Sequence, residues 1–242
     1  MASLALSIVS HGQGELVELL LDDLATLDFS EFELVQILVT LNIPEDESFL
    51  SKYLKDVIVI RNVRPLGYGA NHNQAFASTE ADFFIVLNPD IRISESFSRH
   101  ILACKDTHWG CMAPMVVSPQ GEVEDSARRY PTISRISRRV FLNQRGSDYP
   151  MYGSDENVPV DWVAGMFLIF RSDVFRALKG FDHRYFMYLE DADICKRANE
   201  AGFPVIVNTG FSVVHDARRN SFRSATHLRW HLRSMFRFIF GF

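Results

Sequence analysis

The chain has 242 residues, of which 47% are hydrophobic and 23% are charged, a balance typical of a globular protein and not of a disordered one. Its apolar runs are too short for a membrane-spanning helix. Residues 1–127 carry 7 basic and 19 acidic side chains, residues 128–242 carry 18 and 11, and 20 of the 25 basic residues are arginine. Because arginine suits bidentate contacts with phosphates and carboxylates, this asymmetry predicts an anionic ligand or surface on the C-terminal side. The net charge of −5 and the lack of a nucleic-acid-binding motif argue against nucleic acid.

The start of the chain and its cysteines indicate an intracellular setting. Residues 1–6 lack the basic start of a signal peptide and run directly into a strand pattern, so we expect no leader. Cys104, Cys111 and Cys195 show no metal-ligand or redox spacing. We therefore expect free thiols in a cytoplasmic protein.

Through residue 90, apolar patterns alternate between strand and helix. The expected elements are a strand at 4–9, a helix at 15–27, strands at 34–41 and 56–62, a helix opened by the turn at 67–69, and a strand ending at Asn88. This alternation predicts an α/β protein with a doubly wound, mainly parallel sheet flanked by helices. The run at 83–87 is apolar throughout, which is typical of a strand buried on both faces.

The pattern beyond residue 110 is less regular. Residues 128–157 are rich in arginine and fit either a mobile loop or an amphipathic helix. The further expected elements are strands at 162–170, 204–207 and 211–215, a helix within 186–201 ended by Gly202, and a helix over 225–240.

The buried strand ends abruptly in Asn88-Pro89-Asp90, because Pro89 has no N–H to continue a ladder. A carboxylate just past the carboxyl end of such a strand lies where open α/β sheets bind their ligands. Asp90 is an oxygen ligand suited to a hard divalent cation, and Asn88 adds a polar contact beside it. A turn that caps the next helix is the alternative interpretation.

A second acidic cluster, Glu190-Asp191-x-Asp193, stands at the start of an expected helix. One of its carboxylates is a candidate general base that removes a proton from an attacking hydroxyl. Alternatively, the cluster complements the helix dipole, with Asp193 and Arg197 as an ordinary i, i+4 pair.

Two further patterns suit phosphate. The Gly67-x-Gly69 turn lies between a strand and a helix, where backbone N–H groups can approach an anion. A tight turn with Asn71 as the helix N-cap is the alternative. His215 ends a strand and is followed by a stretch with two arginines, which suits a diphosphate, whereas the alternative is a solvated basic turn.

Taken together, seven segments resemble glycosyltransferase family 2, whose members have the GT-A fold, use nucleotide sugars and invert the anomeric centre. The similarity is strongest to the bacterial rhamnosyltransferase-like branch and extends from residue 4 to about residue 221. The matching segments are ALSIVSH (5–11), GYGANHN (67–73), LNPD (87–90), DWVAG (161–165), GFD (180–182), YLEDADIC (188–195) and His215.

The resemblance implies an enzyme that transfers a sugar, with rhamnose as the candidate, from a nucleotide diphosphate sugar to a saccharide or lipid-linked saccharide acceptor in polysaccharide biosynthesis. It implies that Asp90 and His215 hold Mg²⁺ or Mn²⁺ against the donor diphosphate, that Asp191 is the general base, and that Glu190 holds the acceptor. The implied nucleotide-sugar-binding residues are Ser10, His11, Thr40, Asn42, Gly67, Gly69, Asn73, Asn88, Trp162, Gly165, Arg218 and Arg219.

The resemblance also implies a layout and exposes one departure. We expect a single GT-A domain over 1–242, with a nucleotide-sugar-binding half at 1–110, an acceptor half at 111–224 and a C-terminal amphipathic helix at 225–242. After the second strand, family members usually carry an acidic residue that reads the base, but Thr40 and Asn42 stand there in this chain. Either side chain can hydrogen-bond a base, so the nucleotide is left open.

Two other functions are alternatives to transfer. The departure after the second strand favours a non-catalytic nucleotide-sugar-binding or glycan-binding protein derived from a transferase, whereas the intact Glu190-Asp191 pair argues against it. A nucleotidyltransferase shares the sheet and the metal carboxylate, but residues 10–14 lack the lysine that its phosphate loop needs.

The expected C-terminal helix is amphipathic. Arg229, Arg233 and Arg237 form a ridge at i, i+4 and i+8. The neighbouring apolar face consists of Leu228, Leu232, Met235, Phe236 and Ile239. A basic helix of this kind suits peripheral contact with the inner face of the cell membrane and hence a lipid-linked acceptor. A helix that closes over the domain core is the alternative.

Overall fold

The computed structural model describes residues 1–53, 57–135, 148–149, 157–216 and 225–241. Its strands are β1 (Ala2–Ser10), β2 (Phe32–Leu41), β3 (Val57–Arg61), β4 (Phe83–Leu87), β5 (Ile91–Arg92), β6 (Cys111–Val117), β7 (Ala127–Arg128), β8 (Asn157–Pro159), β9 (Trp162–Val163), β10 (Phe167–Arg171) and β11 (Val205–His215). The helices that concern the fold are α1 (Gly14–Thr26), α2 (Tyr68–Phe76), α3 (Ser98–Cys104), α4 (Ser172–Ala177), α5 (Glu190–Glu200) and α6 (Ala225–Phe240), with a short 3-10 helix at Ser48–Leu50.

The α/β architecture agrees with the sequence prediction. Within the described residues, the main sheet has nine strands in the order β3-β2-β1-β4-β10-β6-β11-β5, with β8 paired to β11. Strand β1 is parallel to β2 and β4, and β2 is parallel to β3, as the alternation through residue 90 predicts. Strand β10 is antiparallel to β4 and β6 and therefore makes the whole sheet mixed. The carboxyl ends of β1, β2 and β4 lie at one edge, where α/β sheets bind ligands.

Strand β4 is buried on both faces, which confirms the interpretation of its apolar run. Phe83, Ile85 and Leu87 join the hydrophobic cluster that includes α1 and α3. Phe84 and Val86 join the cluster on the opposite face, which includes residues of α2, α4 and α5. Packing on both faces fixes the end of β4, and with it the start of the Asn88-Pro89-Asp90 turn.

The strand expected over 162–170 is divided into β9 and β10. The chain turns at Ala164 and Gly165, and the N–H of Met166 donates back to the carbonyl of Ala164 (2.7 Å). The apolar run does not reveal this turn, because its cause is a contact far along the chain: the Gly165 N–H donates to the carboxylate of Asp191 (2.9 Å).

The two strands expected at 204–207 and 211–215 form one strand, β11. It pairs in parallel with β6 on both sides of an irregularity between Asn208 and Ser212. Asn208 lies opposite Pro114, which has no N–H to donate, so the ladder is interrupted there and resumes at Ser212.

The three cysteines are buried free thiols, as their spacing predicts. Burial, followed by hydrogen bonding to Cys195, raises the pKa of the Cys111 thiol well above its usual value. A buried thiol that stays protonated is a poor nucleophile, so these cysteines are packing residues of the core.

Some sequence predictions lie outside the described residues. These are Asp56 at the start of the third strand, most of the arginine-rich stretch at 128–157, and the basic stretch with Arg218 and Arg219.

Candidate active site

The Asn88-Pro89-Asp90 turn lies at the carboxyl end of β4 and leads directly into β5. The N–H of Asn88 donates to the carbonyl of Met166 (2.9 Å), and the N–H of Ile91 donates to the carbonyl of Asn88 (3.2 Å). Ile91 then pairs with His215 in the sheet. The alternative interpretation is therefore wrong, because the turn is followed by a strand and caps no helix.

His215 lies between two carboxylates. Its Nε2 is 3.4 Å from Asp90 Oδ2, and its Nδ1 is 2.8 Å from Glu124 Oε2. Hydrogen bonding to Asp90, opposed by burial and assisted by Glu124, raises the pKa of His215 to about 9. The imidazolium compensates the two negative charges. A proton on His215 and a divalent cation are thus alternative counter-ions for the Asp90 carboxylate.

Asp90 and His215 fit a divalent cation. Asp90 Oδ1 is a buried carboxylate oxygen without a hydrogen-bond partner, and oxygen and imidazole ligands are compatible with Mg²⁺ or Mn²⁺. Glu124 fixes the orientation of the His215 ring from the opposite nitrogen. Among the described residues, no group of three or more His, Cys, Asp or Glu side chains is arranged to hold a metal ion. A cation at this point would therefore need phosphate oxygens or water as its remaining ligands.

Tyr68 joins this end of the site to the second acidic cluster. Its hydroxyl donates to the carbonyl of Gly165 and lies 3.1 Å from Asn88 Oδ1. Burial, followed by the charges of three carboxylates, raises the pKa of Tyr68 well above its ordinary value, so the phenol stays protonated. These carboxylates belong to Glu190, Asp191 and Asp90.

Asp191 is fixed at the start of α5 by two backbone N–H groups. Its Oδ2 accepts a hydrogen bond from Gly165 (2.9 Å), and its Oδ1 accepts one from Ala192 (2.8 Å). Burial raises the pKa of Asp191, in opposition to these hydrogen bonds and to the charge of Arg128. The carboxylate is therefore oriented and more basic than an exposed aspartate.

Glu190 is buried beside Asp191 and is 5% exposed. Burial, followed by the charge of Asp191, raises the pKa of Glu190 well above its usual value, and Glu190 Oε2 has no hydrogen-bond partner. Complementing a helix dipole does not require a buried, unpartnered carboxyl group, because such a group is costly. Asp193, by contrast, pairs with Arg197 at 2.8 Å. The structural interpretation of the cluster thus accounts for Asp193 only.

Arg128 contributes positive charge next to Asp191. Its guanidinium lies 5.4 Å from the centre of the Trp162 ring and forms an ion pair with Asp125 at 3.3 Å. Trp162 is 6% exposed, and its indole N–H donates to the carbonyl of Arg129 (3.0 Å). The Arg128 guanidinium therefore packs against the Trp162 ring.

Curated relatives match the chain in sequence, whereas no family model matches it. Rhamnosyltransferase WbbL of Escherichia coli (strain K12) is 27% identical over 246 residues, covering 96% of this chain and 90% of that protein. The N-acetylglucosaminyl-diphospho-decaprenol L-rhamnosyltransferase of Mycobacterium tuberculosis is 30% identical over 196 residues, covering 72% of this chain and 64% of that protein.

A solved structure matches the fold. GalNAc-T7 in complex with UDP, GalNAc and Mn²⁺ superposes with a TM-score of 0.73 at 14% identity, covering 97% of this chain and 47% of that chain. The chain is a glycosyltransferase with the GT-A fold, and it is similar in sequence to rhamnosyltransferases. The fold and the enzyme class implied by the resemblance to family 2 are thereby confirmed. The chain spans less than two thirds of both the mycobacterial relative and GalNAc-T7.

Four predicted donor-binding residues lie at the carboxyl ends of β1 and β2, namely Ser10, His11, Thr40 and Asn42. Thr40 is fully buried, and its Oγ1 has no hydrogen-bond partner. The side chain of Asn42 accepts from the N–H of Leu66 (2.8 Å) and donates to its carbonyl (3.1 Å). Asn42 therefore fastens the loop that precedes α2.

Glu45 brings a carboxylate to the same edge, although the chain has no acid at the position after β2 where family members usually carry one. Its Oε2 accepts from the hydroxyl of Ser10 (2.9 Å), and its Oε1 accepts from the N–H of Gly12 (3.2 Å). The chain after β2 turns back towards the loop after β1, so an acid three residues beyond Asn42 reaches this edge.

Gly67 and Gly69 permit close packing at the start of α2. A Cβ at Gly67 would lie 2.5 Å from the carbonyl oxygen of Phe186, and one at Gly69 would lie 2.5 Å from Phe181 Cβ. The N-cap of α2 is Gly67, so the interpretation of Asn71 as the N-cap is wrong. The Asn71 side chain instead donates to the carbonyl of Gly67 (3.0 Å) from within the helix.

Asn73 contacts the loop ahead of α5. Its side chain donates to the carbonyl of Phe181 (2.8 Å) and accepts from the N–H of the same residue (2.9 Å). Gly165 lies nearer the acidic cluster, where a Cβ would be 3.3 Å from the Tyr68 ring. Gly165 therefore permits the close approach of Tyr68 that its own carbonyl stabilises.

The structure brings predicted residues from distant segments together around Tyr68. This group consists of Asn88, Asp90, Gly165, Glu190, Asp191 and His215. Four side chains in the site escaped sequence reasoning as functional residues: Glu45, Tyr68, Glu124 and Arg128. Tyr68 is the middle residue of the Gly67-x-Gly69 turn, so this turn is the sequence signal that could have indicated it. Glu45 and Glu124 stand in loops without a pattern.

Proposed function

We propose that this transferase moves rhamnose from a nucleoside diphosphate donor to a lipid-linked diphosphate sugar, with inversion at the anomeric carbon. The observation that supports the chemistry is the buried Asp191 carboxylate, which the Gly165 N–H orients beside Tyr68 and Asn88. The printed names of the relatives support the substrate classes, since one is a rhamnosyltransferase and the other is a rhamnosyltransferase for N-acetylglucosaminyl-diphospho-decaprenol.

We assign the donor diphosphate to the end of the site formed by Asp90 and His215. Mg²⁺ or Mn²⁺ held by these two residues would supply positive charge that stabilises the leaving nucleoside diphosphate. Glu124 keeps the His215 ring directed towards Asp90. Tyr68 engages Asn88 through its Oδ1, which directs the amide nitrogen of Asn88 to donate to the donor. Arg218 and Arg219 follow His215 in the chain, and we assign them further contacts with the diphosphate.

We assign the acceptor to the opposite end, where Asp191 removes the proton from its attacking hydroxyl. Attack on the anomeric carbon from the side opposite the leaving diphosphate inverts that centre. Because burial raises the pKa of Asp191, its carboxylate binds the proton more readily than an exposed aspartate would. Glu190 hydrogen-bonds the acceptor through Oε2, the oxygen that has no partner in the protein.

We infer that Glu45 contacts the donor base in place of Thr40 and Asn42. Thr40 is fully buried, and the side chain of Asn42 is already bonded to Leu66. The carboxylate of Glu45 lies beside Ser10 at the ends of β1 and β2, and it can accept a hydrogen bond from a nucleobase N–H. This assignment keeps the donor in the half formed by residues 1–110 and the acceptor in the half formed by 111–224.

We propose that α6 binds the surface of the membrane that carries the acceptor. One stripe of α6 is apolar and exposed: Leu228 is 61% exposed, Leu232 60%, Phe236 55% and Phe240 50%. Arg229 and Arg233 are also exposed and follow the first two of these residues directly. A cationic helix with an apolar stripe suits peripheral binding in the plane of an anionic bilayer, at the inner face of the cell membrane.

The opposite side of α6 packs against the protein. Met235 and Phe238 contact the hydrophobic cluster that includes α5, so the predicted apolar face is divided between a core contact and an exposed stripe. Among the described residues, no helix combines the length and the apolar content needed to cross a bilayer.

The donor proposal is tested by calorimetric titration of the protein with UDP, dTDP and GDP, each with and without Mn²⁺. We expect Mn²⁺-dependent binding of one nucleotide, followed by turnover of its rhamnose conjugate on a short-chain N-acetylglucosamine diphosphate lipid. Binding without turnover is the result expected of a non-catalytic nucleotide-sugar-binding protein and would contradict the transfer proposal. No binding to any nucleotide would contradict the donor site as well.

The membrane proposal is tested by co-sedimentation with vesicles of phosphatidylglycerol and phosphatidylcholine. We expect binding that increases with the anionic lipid and that the Leu232→Gln, Phe236→Gln double variant loses. Leu34→Gln is the matched control, because Leu34 is 50% exposed on β2 and remote in sequence from α6. Absence of wild-type binding, or equal loss in the control, would refute the role of the α6 stripe.

A further inference from the structure

Two residues directly ahead of Glu190 have an unusual backbone conformation. Tyr188 has φ 73° and Leu189 has φ 64°, both in the left-handed region, although neither is glycine. Side-chain-bearing residues adopt this region only where the surroundings hold them there. Leu189 is the N-cap of α5, so these two residues set the direction in which the helix and its carboxylates begin.

One side of this segment is tied to the active site. The N–H of Tyr68 donates to the carbonyl of Phe186 (2.9 Å), and the N–H of Asp193 donates to the carbonyl of Leu189 (2.9 Å). The Leu189 side chain is 6% exposed and belongs to the hydrophobic cluster under α5. Two residues further along the chain, Asp191 accepts its hydrogen bond from Gly165.

The other side of the segment is held by α6. The hydroxyl of Ser234 donates to the carbonyl of Met187 (2.9 Å), and the hydroxyl of Tyr188 is 2.8 Å from Nδ1 of His227. The Trp230 ring packs on the Phe186 ring, with their centres 4.8 Å apart. A further hydrogen bond joins Arg237 Nη1 to the carbonyl of Arg184.

These contacts form a single face of α6. The participating residues 227, 230, 234 and 237 are three or four positions apart, which is the spacing of one helix face. Ser234 is 4% exposed, whereas Leu232 and Phe236 on the outer stripe are more than half exposed. The face that contacts residues 184–188 and the stripe assigned to the membrane are therefore separate surfaces of one helix.

We propose that α6 positions the catalytic base: Ser234, through the carbonyl of Met187, and the Tyr188–His227 hydrogen bond hold residues 188 and 189 in the left-handed conformation that directs Asp191 towards Gly165. This proposal rests on the proposed function in one respect, namely that Asp191 is the base. Ser234, Tyr188 and His227 act through the backbone and touch no substrate, so they are positioning residues. Without their contacts, the segment relaxes towards ordinary backbone angles and the carboxylate loses its fixed direction.

The test uses the full chain with Ser234→Ala and Tyr188→Phe, each of which removes one hydroxyl. Tyr185→Phe is the matched control, because it removes a hydroxyl from the same segment that forms no hydrogen bond with any described residue. Ser234→Thr keeps the donor and is the conservative variant. The readouts are deuterium exchange of the peptide covering 186–193, and kcat and KM for the rhamnose conjugate of the nucleotide that the titration identifies, with the short-chain N-acetylglucosamine diphosphate lipid.

We expect Ser234→Ala and Tyr188→Phe to accelerate exchange in this peptide and to lower kcat by about threefold to tenfold, the effect of one hydrogen bond, with KM for the donor unchanged. Ser234→Thr and Tyr185→Phe should behave as wild type. Unchanged exchange in both hydroxyl deletions, or an equal effect of Tyr185→Phe, would overturn the positioning role. The exchange readout decides this even if the wild-type protein transfers no sugar, a result that would refute the base assignment alone.

Discussion

The two ends of the site place the same kind of side chain in opposite surroundings. Between β4 and β11, the carboxylates of Asp90 and Glu124 lie on either side of His215, whose positive charge compensates them. At the start of α5, Glu190 and Asp191 are buried next to each other, and burial raises the pKa of both. A carboxylate beside a positive charge suits cation binding, whereas burial makes a carboxylate bind a proton more readily.

The backbone that holds Asp90 also differs from the backbone that holds Asp191. Asp90 is held between two strands, with its carbonyl accepting the N–H of Asp216 (2.9 Å). Asp191 comes shortly after two residues in the left-handed conformation, and its carboxylate is held across the site by the N–H of Gly165 and locally by the N–H of Ala192. A cation needs a fixed pair of ligands, and a sheet edge supplies one. The base must meet an acceptor that enters and leaves the site. Asp191 accordingly lies at a helix start and not within a sheet.

The largest effect is expected from Asp191→Asn, which removes the Asp191 carboxylate at the start of α5 and leaves Asp90 and His215 unchanged. We expect kcat to fall on the order of a thousandfold, because an amide cannot accept the proton of the attacking hydroxyl. Calorimetric binding of the nucleotide should be unchanged, since the donor end is intact. Asp193→Asn is the matched control two residues away: it breaks the pair with Arg197 and should lower Tm while kcat stays near wild type. Near-normal kcat in Asp191→Asn would remove Asp191 from the role of base.

Asp90→Asn should break the compensated end. We expect Mn²⁺-dependent nucleotide binding to weaken on the order of a hundredfold, because a charged oxygen ligand becomes a neutral one. The measurement is titration with and without Mn²⁺. Asp82→Asn changes a carboxylate just before the opposite end of the same strand, where it accepts two hydrogen bonds from Ser3, and should leave this binding intact. Equal Mn²⁺ dependence in wild type and Asp90→Asn would show that Asp90 holds no cation.

The sequence predicts those features of the fold and the site that have a local cause. The apolar run of β4 identifies a buried strand, and the break at Pro89 then locates Asp90 at its carboxyl end. Glu190 and Asp191 belong to a motif whose type and position are readable without a structure. The alternation of strands and helices through residue 90 likewise predicts the parallel part of the sheet.

Features caused by contacts across the sequence are not readable in this way. Glu124 contacts His215 across a separation of 91 residues, and Glu45 contacts Ser10 across 35, with no periodicity to mark either. The turn at Gly165 interrupts an apolar run because its N–H bonds Asp191. Each of these residues contacts a partner that is distant in sequence and comes close only in the complete fold.

Glu124→Gln removes the negative charge next to His215 without removing either proposed metal ligand, Asp90 or His215. We expect Mn²⁺-dependent nucleotide binding to weaken by about tenfold, less than in Asp90→Asn, because the His215 ring loses its charged partner but keeps its own nitrogen for the cation. Glu122→Gln, an exposed glutamate two residues away, is the control and should bind as wild type. A loss as large as that of Asp90→Asn would instead make Glu124 a direct ligand.

The smallest effect concerns the pH dependence of kcat, which depends on the buried pair Glu190 and Asp191. A base must be ionised, and burial raises the pKa of Asp191, so kcat should be full at higher pH and fall as the pH drops through that raised value. Glu190 has the more strongly raised pKa and is neutral where Asp191 ionises, so Glu190→Gln removes no charge there and the acid limb should stay near its wild-type position. The measurement is kcat against pH at saturating substrates, with each profile normalised to its own plateau. An acid limb that moves to lower pH would mean that Glu190 is ionised beside Asp191, and the pair would then lose the property that distinguishes it from Asp90 and Glu124.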